Sequence, residues 1–85
     1  MTPQTRRDCY TAKVESLDDS ALATLAAATA LALLRCYWAD PLKDVYRDEV
    51  DALCREFEQR GQRAKWDEIT AAAKCQRRQE TKVRA

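Results

Sequence analysis

Residues 20–34 read SALATLAAATALALL, from Ser20 to Leu34, a run without a single charge and nearly half alanine. Alanine loses no side-chain entropy on entering a helix and leucine loses little, so the run is strongly helix-forming. At 100° per residue two apolar stripes appear. One gathers Leu22, Leu25, Ala26, Thr29, Leu33 and Cys36. The other lies roughly 150° away and gathers Ala27, Leu31, Leu34 and Trp38. A helix with solvent on one side carries one such stripe, and a helix apolar nearly all round is covered nearly all round. A membrane span needs about 20 apolar residues, so the expectation is a packed helix in a protein that does not enter a membrane.

The chain around this run reads as further helices. Ser16 can cap it, Asp18 and Asp19 sit in its first turn against the positive helix end, and the helix is expected over 17–39. Asp40-Pro41 then breaks and restarts the chain, because proline disfavours α conformation in the residue before it and suits the first helical position. Tyr46, Val50, Leu53 and Phe57 recur at helical spacing up to Gly61, which supplies a left-handed stop. Trp66, Ile69 and Ala73 mark the inner face of a last helix, expected to fray beyond Gln76. At the N-terminus Thr2-Pro3 can open a short helix over about 3–15, with Tyr10, Val14 and Leu17 on one side. The expected fold is all-α in one domain: an up-down-up bundle of three helices, a hairpin over 17–60 and a third helix over 62–85, with an N-terminal arm or short helix over 1–15.

Composition narrows the chemistry. The chain has 85 residues, one glycine and no histidine. A single glycine cannot build a phosphate-cradling loop. Without asparagine or an Asp-Gly pair, β-hairpin turns are disfavoured. Cys9, Cys36, Cys54 and Cys75 form no Cys-x-x-Cys pair, whereas structural zinc draws its cysteines in close pairs. In antiparallel hairpins Cys36 and Cys54 are offset by roughly 13 Å, and Cys54 and Cys75 by roughly 9 Å, too far for a disulfide. No histidine is present to activate a thiol, and no carboxylate pair stands in an apolar stretch. The expectation is no catalytic residue, no metal and no cofactor. The N-terminus lacks an apolar stretch after its basic pair, so no secretory signal is expected and a cytoplasmic protein with reduced thiols is.

What remains is recognition. The narrow stripes of the neighbouring helices are expected to leave part of the central helix uncovered in a monomer. That makes Ala27, Leu31, Leu34, Tyr37 and Trp38 a candidate protein interface, for a self-dimer or another partner. The charge is uneven although the net is +1. Asp44, Asp48, Asp51 and Glu58 recur along one face of the Pro41 helix, a candidate acidic docking face or an ordinary solvated one. Lys74, Arg77, Arg78 and Lys82 form a basic run that could touch phosphates or simply complement the helix dipole. The leading expectation is a non-catalytic regulator or inhibitor that docks stoichiometrically on a larger protein, of the kind phages and mobile elements encode against host or defence machinery. The alternative is a small nucleic-acid-associated regulator using the basic C-terminal helix.

Overall fold

Four helices form: α1 over Pro3–Glu15, α2 over Asp19–Arg35, α3 over Leu42–Gln59 and α4 over Arg63–Arg84. The computed structural model describes residues 2–37 and 39–84, so Trp38 lies outside the described residues. Among the described residues there is no strand. The all-α class holds, but the helices number four rather than three. The N-terminal segment is a full helix with a cap at each end. The Thr2 hydroxyl oxygen accepts from the Thr5 amide at 3.1 Å, and Pro3 sits in the first turn, where its missing N–H goes unmissed.

Ser16 does not cap α2. It closes α1, its hydroxyl donating to the Lys13 carbonyl at 2.7 Å. Asp18 is the α2 cap, its carboxylate accepting from the Ala21 amide at 2.7 Å. The physical reason is that the backbone amides of Ser16 and Leu17 already serve the last carbonyls of α1. At its other end α2 stops at Arg35, before the expected position 39, because Cys36 turns extended. Asp40 does cap the next helix as its type suggests: its carboxylate accepts from the Leu42 amide at 2.9 Å, with helical Pro41 between them. Gly61, at φ +72, ends α3. The Gln62 amide reaches back to the Phe57 carbonyl at 2.8 Å and the Gly61 amide to that of Glu58 at 3.1 Å, the paired bonds of a Schellman stop. The last helix does not fray at Gln76 but runs on through the basic segment.

The helix α3 packs on each of the other three, and α2 also packs on α4. The core is Val14, Leu22, Ala26, Leu53, Phe57 and Trp66, with Tyr10, Leu17, Leu25, Val50, Cys54 and Ile69 against it. Phe57 and Trp66 rings meet at 5.6 Å in a tilted pair across the Gly61 turn. This core is lopsided. It takes the C-terminal half of α1, the N-terminal half of α2, the C-terminal half of α3 and the start of α4. Towards the α2–α3 turn large buried side chains give out, and Leu34, Tyr37 and Leu42 are 37%, 79% and 51% exposed.

One cation joins the elements at the core end. Arg60 donates to Glu56 at 2.9 Å and to Asp19 at 2.8 Å. It also donates to the Leu17 carbonyl at 2.7 Å. The planar guanidinium thus ties the end of α3 to the end of α1 and the start of α2, a geometry that an ammonium cannot reproduce.

The whole is a slab with extents of 40 × 30 × 16 Å and a radius of gyration of 13.5 Å. A compact chain of this length would have a radius near 12 Å. Its accessible surface is 5939 Å², against about 5,100 Å² for a compact monomer of this mass.

Two outcomes follow for stability, both measured by denaturant unfolding. Gly61→Ala should cost about 1 kcal/mol, since an added Cβ meets nothing within 4 Å and only the positive φ is penalised. Leu53→Ala, at a fully buried position, should cost about 3 kcal/mol through lost burial and the cavity left behind.

Candidate functional site

The central helix shows its two stripes as two different environments. Leu22, Ala26 and Thr29 are buried, with Leu25, Leu33 and Cys36 half-buried beside them. On the opposite side Ala27 and Leu34 are exposed and Leu31 is half-buried, together with exposed Ser20, Thr24 and Ala28. No charge interrupts this outward face between Ser20 and Leu34. Where the face ends, Arg35 is held by Glu80 of α4 in a two-pronged ion pair. Arg77 donates to the Leu34 carbonyl at 3.3 Å and lies 3.8 Å from Glu80. The Arg77 bond gives one of the last carbonyls of α2 a cationic partner, as a helix C-terminus favours. Tyr37 and Leu42 are likewise exposed at the α2–α3 turn. Leu42, the first residue of α3, is exposed although no periodicity singled it out.

The acidic residues do not make one free face. Asp48 turns towards α1, where Arg6 and Arg7 both donate to its Oδ2, at 2.8 and 3.1 Å. Glu58 pairs with Arg63. Asp44 stands 4.0 Å from Arg47 and is largely in solvent, and Asp51 is exposed. The reason is the added helix: α1 carries its basic pair onto the side of α3 that the sequence left open. The basic run divides likewise. Arg77 is spent on α2 and Glu80, while Lys74, Arg78 and Lys82 are exposed along α4 at steps of four residues.

Between α1 and α3 lies a groove of about 600 Å³ lined by Arg6, Arg7, Tyr10, Lys13, Glu49 and Arg55 among others. Its charges are mixed in sign and partly paired with one another. The Tyr10 hydroxyl is buried without a hydrogen-bond partner among the described residues, and burial pushes its pKa up, with the Glu49 charge adding to it. Cys9 is exposed in the same groove wall.

The four cysteines are free. Burial pushes the Cys36 and Cys54 thiols up, and the neighbouring carboxylates of Asp40 and Glu58 add to it. Both therefore stay protonated near neutral pH, the opposite of an activated thiolate. Among the described residues no cluster of three Cys, Asp or Glu side chains could hold a metal ion. No described helix is long and apolar enough to cross a membrane.

Comparison of the chain with protein-family models, with curated proteins and with solved structures gives no match.

The ion pairs set a pH dependence. Hydrogen bonds from Arg60, Arg7 and Arg35 hold the carboxyls of Asp19, Asp48 and Glu80, respectively, below their ordinary values. A carboxyl whose pKa is lowered by folding stabilises the fold above its unfolded value, and that stabilisation is lost as pH falls through the folded value. Glu49 runs the other way: burial raises it, so its contribution is largest in acid and fades as pH rises through its folded value. Three lowered carboxyls against one raised predict a thermal midpoint that is flat near neutral pH and drops in acid below the ordinary carboxylate range. Asp48→Asn should make that acid drop shallower, read by circular dichroism melts from neutral pH downwards. An acid limb identical to the parent's would show that the Arg6–Asp48–Arg7 contact does not contribute.

Proposed function

We propose that this chain is a non-catalytic protein-binding module that acts by stoichiometric docking, as a regulator or inhibitor of a larger protein. Docking runs through the outward face of α2, Ala27, Leu31 and Leu34, and continues onto Tyr37 at the turn; Trp38, expected to belong to the same stripe, lies outside the described residues. The observation that carries this is the fifteen-residue uncharged stretch whose outward side is left open, with 37% of Leu34 in solvent. Scattered exposed leucines are ordinary, but an uncharged outward helix side followed closely in the chain by an exposed tyrosine and a second exposed leucine suits an interaction site. Helix-in-groove recognition uses the same spacing of four, three and four residues. The inhibitors encoded by phages and mobile elements are one class into which such a module fits.

The test is capture of the partner from the native cell by tagged protein, comparing the parent with Leu34→Glu. At an exposed helical position the substitution leaves the fold intact, and a buried leucine contact is worth roughly 1.5–3 kcal/mol, so the partner should be lost by tenfold or more. Equal recovery by a folded Leu34→Glu variant removes this face from the account.

A second use has one specific support: Lys74, Arg78 and Lys82 stand exposed in a row on α4, and no described carboxylate forms an ion pair with them. Nucleic-acid contact there would weaken steeply with salt, as counterions are released. Apolar docking on α2 would not. Titrating binding against salt separates the two, and Lys74→Ala with Arg78→Ala should abolish the salt dependence only if α4 meets phosphate.

A further inference from the structure

We propose that the first half of α1, residues 2–9, is an electrostatic latch on α3, which opens as a unit when its charges are screened while the rest of the fold stays closed.

The anchoring of α1 is divided. Its second half is apolar: Val14 is 1% exposed, and Tyr10 packs against the same core. Just beyond it, Arg60 donates to the Leu17 carbonyl at 2.7 Å. The first half has nothing comparable. From Gln4 to Cys9 there is no aliphatic or aromatic side chain. Among the described residues, the side-chain bonds from this half to another helix are those of Arg6 and Arg7, and both end on one oxygen, Asp48 Oδ2. The other bonds made there by side chains, Gln4 to Asp8 and the Thr5 amide to Thr2, stay within α1. The groove of about 600 Å³ opens beside these turns, with Gln4, Arg6 and Arg7 among its α1 lining and Asp48, Glu49 and Ala52 among its α3 lining. Open space there means that charge, not packing, holds this half of α1 to α3.

Such a latch is weak by construction. Arg6 and Arg7 keep 40% and 52% of their side chains in solvent. An ion pair of that exposure shifts an opening equilibrium by about fivefold at most, so two on one carboxylate shift it by about tenfold. Glu49, half-buried beside Asp48, also feels the charges of Lys13 and Arg6. Raising salt from about 0.01 M to about 1 M shortens the screening length from about 30 Å to about 3 Å and removes most of this attraction. Two turns freed from α3 have too little helix of their own to persist, since even a whole isolated helix of fewer than about 12 residues is marginal in water. Opening therefore unprotects their amides. It also changes what α3 shows. With the latch closed, Asp48 is spent on α1 while Asp44 and Asp51 are exposed. Once released, Asp48 joins them, four residues after one and three before the other, on one side of the helix.

Amide hydrogen exchange of the full chain, resolved by residue, tests this. Between about 0.01 M and about 1 M salt, the amides of residues 6–9 should exchange about tenfold faster relative to those of Leu53 and Phe57. The amides of residues 13–15, in the half that carries Val14, should not follow. Asp48→Asn should show the faster exchange already at low salt and lose most of its response to salt. Asp44→Asn, which removes an equal charge without touching α1, should behave as the parent. Should Asp48→Asn unfold by circular dichroism, Arg6→Gln combined with Arg7→Gln breaks the same contact from its exposed side, with the same result expected. Ordinary fraying of a helix end is indifferent to Asp48. Exchange at residues 6–9 that ignores salt, a salt response that Asp48→Asn leaves whole, or one that spreads evenly through residue 15 overturns the latch.

Discussion

Arg60 is the residue on which the arrangement of the helices depends. It lies at the end of α3, yet its guanidinium reaches the Leu17 carbonyl in the link that follows α1, Asp19 at the start of α2 and Glu56 one turn back. Three helix termini, each with unsatisfied backbone groups or a charge, are neutralised at one point. The Gly61 stop next to it sends α4 back across the same end, and Trp66 closes over Phe57. With that corner fixed, the direction in which each helix leaves it is fixed as well, and so is the side of α2 that faces outwards.

The consequence for recognition is that the apolar material is unevenly shared. All of the large fully buried side chains, Phe57, Leu22, Leu53 and Val14, lie towards that corner. At the far end α4 offers Lys74, Cys75, Arg77 and Arg78, and what fastens it to α2 is polar: the Arg35–Glu80 pair and the Arg77 bond to the Leu34 carbonyl. A polar clasp holds a helix without covering its neighbour. Leu34 can therefore be tied in place through its backbone while its side chain stays available.

Much of this was legible in the sequence because it depends on local chemistry. The buried stripe of α2, the stop at Gly61 and the bond from the Leu42 amide to the Asp40 carboxylate follow from spacing and residue type, and the structure shows each of them. The pairing of Asp48 was not legible for a non-local reason: it is met by Arg6 and Arg7, about forty residues away, and no periodicity announces a partner on another helix. The same holds for Arg77, which looks like a free cation until α4 is laid along α2. Ser16 and Asp18 were both competent caps, and which one served α2 depended on where α1 ended.

The lopsided core also bears on the order in which the chain can assemble. Phe57 and Trp66 are separated by a single turn, so their contact closes a short loop and needs little chain entropy to be given up. The Arg35–Glu80 clasp bridges 45 positions and gains nothing until α2, α3 and α4 are already in place. Assembly from the Gly61 corner outwards is thus the route of least loop closure. The end of the molecule that carries the exposed leucines is also the one with the fewest large buried side chains, so weak local anchoring and access to that surface share one structural cause.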